Sequence, residues 1–69
     1  MNIIEAVQKA EQGHCITNHI MMMVGTFYEY AGDGKFHLFK WKECGKKEYL
    51  AEKTTFTLAE LLCVSWEHR

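Results

Sequence analysis

The sequence predicts a small α+β domain, an antiparallel sheet with an N-terminal helix and a short C-terminal helix in the order α-β-β-β-α-β. Three observations carry this. Apolar residues recur at helical spacing over residues 3–12, an Asp-Gly pair sits between two alternating apolar runs, and a capping signature opens at Thr57.

In the first element Ile3, Ile4, Val7 and Ala10 share one side of a helical wheel, and Glu5, Gln8, Lys9, Glu11 and Gln12 fill the rest. Asn2 with Glu5 three residues on forms a capping-box start, and Gly13 suits the left-handed residue that ends such a helix. From His14 to Ala31 the β-branched and aromatic residues Ile16, Ile20, Val24, Phe27, Tyr28 and Tyr30 favour strand, with 14–18 open as an additional short strand. Gly32-Asp33-Gly34 predicts a tight hairpin into a partner strand from Lys35 to Lys42. A second turn at Glu43–Lys47 leads to a short strand at Glu48–Lys53, whose charges suit a sheet edge. Thr57 and Glu60 cap a helix at 58–63, after which Val64–Glu67 returns as an extended segment anchored by Trp66.

A two-residue Asp33-Gly34 loop sets Tyr30 opposite His37, Tyr28 opposite Phe39 and Thr26 opposite Trp41. That register puts Tyr28, Tyr30, His37, Phe39 and Trp41 on one sheet face and Met21, Met23, Phe27, Phe36 and Leu38 on the other. Aromatics at strand period usually form core, and the same set can stack a planar base. The Met21-Met22-Met23 run reads either as a strand buried on both sides or as an adaptable binding surface. Lys40, Lys42, Lys46 and Lys47 form a solvated face or attract a phosphate.

Length and composition bound the function. A chain of 69 residues holds one domain and buries only about 60% of its unfolded surface, so its stability is marginal without a staple or a partner subunit. Hydrophobic residues at 48% suffice for a core and argue against disorder. A net charge of −1 supplies no basic footprint for DNA. After Met1 no basic stretch leads into an apolar one, and nowhere do about 20 apolar residues run together, so neither export nor membrane insertion is expected. Cys15, Cys44 and Cys63 are odd in number and far apart, and with His14, His19, His37 and His68 they do not fall at zinc-finger spacing. They read as free thiols in a reducing cytoplasm, with no cofactor called for.

No nucleophile elbow, phosphate loop or zinc-protease motif occurs. Cys15 with His14 or His19 makes no nucleophilic pair, because adjacent strand residues point to opposite faces. The expectation is a binding protein rather than an enzyme. With both hairpin faces apolar and two short helices to cover them, a homodimer or dimer of dimers is expected, with Met21, Met23, Phe27 and Leu38 at its interface.

The two chain ends carry a resemblance. Glu5-Ala6-Val7-x-x-Ala10-x-x-Gly13-x-x-Ile16 and Glu60-Leu61-Leu62-Cys63-x-x-Trp66-Glu67 resemble the ends of a family of small phage proteins that includes the Thoeris anti-defence signal sponges and at least one anti-CRISPR inhibitor. Asn18 and Met21 stand where that family commonly has Arg and Trp, and Ser65 replaces an Asp. The resemblance implies a protein of the infected cell's cytoplasm that sequesters a cyclic or ADP-ribose-derived nucleotide without cleaving it. Tyr28, Tyr30 or Trp41 would stack the base, and Asn18, His19 or nearby lysines would supply polar contacts. The alternative is an inhibitor that covers a host defence enzyme, such as a CRISPR effector, with the patch of Met21, Met23, Phe27 and Leu38.

Overall fold

The computed structural model describes every residue from Met1 to Arg69 and shows an α+β domain with a five-stranded antiparallel sheet. The elements are α1 (Ile3–Glu11), β1 (Ile16–Thr17), α2 (His19–Met23), β2 (Thr26–Gly32), β3 (Lys35–Trp41), β4 (Lys47–Thr54), α3 (Leu58–Leu62) and β5 (Glu67–His68). Strand order is β4-β3-β2-β1-β5, so the last strand closes on the first.

Both capping boxes form as the sequence predicts. Asn2 Oδ1 accepts from the Glu5 N–H at 2.9 Å, and the Glu60 carboxylate accepts from the Thr57 N–H at 2.9 Å. Gly13 ends the first helix at φ +101°, which a side chain would strain.

The expected strand from His14 to Ala31 is corrected. Only Ile16 and Thr17 pair as a strand before the chain turns into α2 and re-enters the sheet at Thr26. The cause is local: Asn18 Oδ1 accepts the N–H groups of Ile20 and Met21 at 3.1 and 3.0 Å, which starts a helix. Three unbranched methionines then favour helix over strand, so neither the buried-strand reading of Met21–Met23 nor the simple α-β-β-β-α-β order holds.

The predicted hairpin turn is present, with Asp33 and Gly34 both at positive φ and Gly32 opposite Lys35. The register beyond it is corrected. A bulge at Ala31 sets Tyr30 opposite Phe36, Tyr28 opposite Leu38, Phe27 opposite Phe39 and Glu29 opposite His37. One extra residue on β2 thus exchanges the faces of its upper half relative to β3. Two further irregularities break the β3–β4 ladder, one between Phe36 and Leu38 and one between Leu38 and Phe39.

The core lies on the helix-covered face. Ala6 and Ala10 of α1 let that helix approach closely, and they pack with Ile16, Met21, Tyr28, Phe36 and Trp66. Trp66 is 2% exposed, its Nε1 donates to the Glu60 carbonyl at 3.1 Å, and its N–H donates to the Met1 carbonyl at 3.0 Å. Phe56 stands edge-on to both Tyr28 and Trp66, at 4.9 and 5.5 Å between centroids.

Candidate functional site

On the opposite, helix-free face Phe39 is 0% exposed although no helix covers it. Its neighbours supply the cover. Phe27 stacks on it at 5.8 Å, Trp41 meets it edge-on at 5.3 Å, Tyr49 lies at 6.1 Å, and the Lys47 ammonium sits 4.9 Å from its ring centroid. This cluster follows from period two on three strands: Phe27 and Glu29 on β2, Phe39 and Trp41 on β3, Lys47 and Tyr49 on β4.

Beside the cluster is an open depression of about 450 Å³, lined by Cys15, Phe27, Glu29, Trp41, Lys47 and Arg69 among others. Trp41 is 47% exposed, so part of its ring is free to meet a ligand. Arg69 arrives from the far edge, because its N–H donates to the Cys15 carbonyl at 2.8 Å, and its guanidinium lies 5.9 Å from the Phe27 ring. The guanidinium donates to Glu67 at 2.7 Å in an exposed pair, which a ligand anion can replace at small cost.

Glu29 organises the other end, accepting from Lys47 Nζ and from the Tyr49 hydroxyl, the latter at 2.6 Å. Partial burial pushes its carboxyl up, but the hydrogen bonds from Lys47 and Tyr49 outweigh this and hold it below its ordinary range. The same hydrogen bond to Glu29 raises Lys47, so the ammonium stays charged under the aromatic rings. A carboxylate lowered in the folded state contributes stability that is present above its unfolded pKa and lost as pH falls from there through the lower folded value. Glu29→Gln is therefore expected to cost about 1 kcal/mol near neutral pH and to make acid unfolding less steep. Urea midpoints measured across the acid range check this, and identical slopes for variant and parent would contradict it.

The residues expected to bind a ligand are not brought together. Trp41 alone lines the open depression. Tyr28 and Tyr30 turn to the helix-covered face, since the Ala31 bulge sets them opposite Leu38 and Phe36. Burial and then the hydrogen bond to Glu60, at 2.7 Å, push the Tyr28 hydroxyl well above its usual range, and it serves the core. Asn18 is 2% exposed and spends its carbonyl on α2, while His19 lies at the start of α2 beside Ser65 and does not line the depression.

The expected interface set is dispersed as well, so Met21, Met23, Phe27 and Leu38 do not share one face. Met21 is in the core, Leu38 packs against it, Phe27 lines the open face, and Met23 is exposed on α2. The sequence marks Lys47 only as one of four lysines that form a solvated face or attract a phosphate, and it does not single out Glu29, Tyr49 or Arg69 for a site. The period-two spacing of Lys47 and Tyr49 was available as a signal, but nothing local marks Arg69.

No protein-family model, curated protein or solved structure matches the chain.

Proposed function

We propose that the chain acts by binding and that its open-face depression takes a nucleotide-type ligand. One observation carries this reading: a half-exposed Trp41 borders a depression that also presents Lys47 and Arg69. A planar base gains roughly 1–3 kcal/mol by stacking on such a ring, and Arg69 offers a planar fork suited to phosphate. The depression holds a carboxylate already engaged by Lys47 and Tyr49 and no activated nucleophile, in keeping with retention of the ligand rather than its cleavage. The likeness of the chain ends to phage anti-defence proteins supports a cyclic or ADP-ribose-derived immune signal as the ligand and sequestration as the role.

Scanning fluorimetry against cyclic dinucleotides, ADP-ribose derivatives and mononucleotides tests the proposal. A cognate ligand at 100 times its Kd is expected to stabilise the fold by about 2.7 kcal/mol. Trp41→Ala and Arg69→Gln are each expected to abolish most of that shift. No shift with any nucleotide sinks this reading.

A second reading rests on the exposed apolar residues Ile20, Met23, Leu58, Leu62 and Val64 on α2, α3 and the segment that follows. They suit a protein surface, either a second copy of the chain in a dimer or tetramer or a host defence enzyme. Native mass spectrometry of the same preparation separates the readings, since it reports retained nucleotide, copy number and bound protein together.

A further inference from the structure

A second cluster of reactive groups lies away from the depression, where the start of α2 meets the end of α3. Cys63 is the C-terminal cap of α3, and its Sγ lies 3.1 Å from Ser65 Oγ and 3.9 Å from His19 Nδ1. Ser65 Oγ is hydrogen-bonded to His19 Nδ1 and also accepts from the His19 N–H at 3.3 Å. Cysteine, serine and histidine thus form a chain of contacts. A groove of about 210 Å³ opens at Cys63, and Ile20, Met21 and Ala59 give it an apolar wall beside Asn18 and Thr57.

We propose that Cys63 is a nucleophilic thiol that forms mixed disulfides with small, uncharged disulfides seated in this groove. The three contacts serve both protonation states without moving a heavy atom. Before transfer the thiol donates to Ser65 Oγ and the Ser65 hydroxyl donates to His19 Nδ1. After transfer the Nδ1–H donates to Ser65, and the Ser65 hydroxyl donates to the thiolate. The thiolate is the reactive species, and His19 holds its proton while Ser65 hydrogen-bonds the charge.

In the exchange the Cys63 thiolate attacks one sulfur of a disulfide R–S–S–R. The Cys63–S–S–R bond forms, the R–S–S–R bond breaks, and the leaving R–S⁻ takes the proton that His19 returns through Ser65. One thiol is oxidised to the mixed disulfide and one R–S group is reduced to R–SH, so no further oxidant is required. The bound group then lies against the exposed Ile20 in the groove wall, where it changes the surface that a protein partner would meet.

Exposure alone orders the thiols differently, because Cys44 is exposed in the turn after β3 whereas Cys63 is partly covered. The full chain is treated with limiting iodoacetamide, and in parallel with the neutral disulfide of mercaptoethanol, and labelling is followed peptide by peptide. Cys63 is expected to react roughly tenfold faster than Cys44 with both reagents. His19→Gln and Ser65→Ala should each slow Cys63 by a similar factor and leave Cys44 unchanged, and Ser65→Thr, which keeps the hydroxyl, should restore the rate. Cys63 reacting more slowly than Cys44 in the parent protein overturns the proposal. A parent-like Cys63 rate in His19→Gln overturns it too, and since His19 is exposed that variant tests the proposal even if Ser65→Ala loses the fold.

Discussion

Trp66→Ala is expected to bring the fold to the edge of unfolding at room temperature. The ring is 2% exposed, touches Phe56 and Tyr28 within aromatic range, and donates from Nε1 to the Glu60 carbonyl. Truncating a buried Trp costs about 3–5 kcal/mol, against a total near the low end of the usual 5–15 kcal/mol for so short a domain. The loss also takes one of two donors from the Glu60 carbonyl, which keeps the Cys63 N–H at 3.2 Å, next to a carboxylate that holds both the α3 cap and the Tyr28 hydroxyl. Trp66→Phe keeps a buried aromatic ring while removing the indole N–H and part of the ring volume, and is expected to cost clearly less than Trp66→Ala. Circular dichroism with urea titration reads both. A cooperative transition for Trp66→Ala close to that of the parent would show that the helix-covered core does not depend on this ring.

Phe39→Ala is the second large effect, and it couples stability to the proposed binding site. Phe39 is the one fully buried aromatic on the helix-free face, held by Phe27, Trp41, Tyr49 and the Lys47 ammonium instead of by a helix. Removing it is expected to cost about 3–4 kcal/mol, because the residues around it are tied to strands and cannot fully collapse into the space. Trp41 and Lys47 would lose the surface they lie on, so nucleotide-induced stabilisation should vanish in whatever fraction stays folded. Phe39→Leu retains much of the volume and should cost less than about 1.5 kcal/mol while weakening ligand response only in part. If Phe39→Ala matches the parent in both midpoint and ligand response, the open-face cluster is neither a second core nor a binding floor.

Much of the fold was legible wherever the physics is local. Asn2 with Glu5, Thr57 with Glu60 and the Asp33-Gly34 turn each specify geometry within a few residues, so both longer-recognised helices and the hairpin fall where the residues indicate. The burial of Trp66 at the chain's return was legible for the same reason that large aromatics flank short helices: little else is available to cover them. What escaped was set by single residues with no compositional signature. An Ala in a strand does not announce a bulge, yet Ala31 decides that Tyr28 and Tyr30 turn inward while Phe27 and Glu29 turn outward. The helix at His19–Met23 is too short for its period to show, and only the side chain of Asn18 reveals why it forms. Arg69 joins the depression through pairing of β5 with β1, a contact between distant parts of the chain that no window of sequence contains. The same long-range closure brings Cys63 and Ser65 to His19.

The breaks in the β3–β4 ladder have a consequence for how copies of this protein can meet. β4 is an edge strand, its pairing slips twice along β3, Lys53 sits at φ +53°, and Lys47, Glu48, Glu52 and Lys53 place charge along it. The opposite edge, β5, is two residues long. A growing stack of chains needs a long, flat, uncharged edge on which the next strand can lie, and neither end of this sheet supplies one. Extension of the sheet from one molecule to the next is therefore blocked at both ends, which protects a sparsely cored domain from fibrillar association and leaves its two faces, rather than its edges, as the surfaces through which it can recognise anything else.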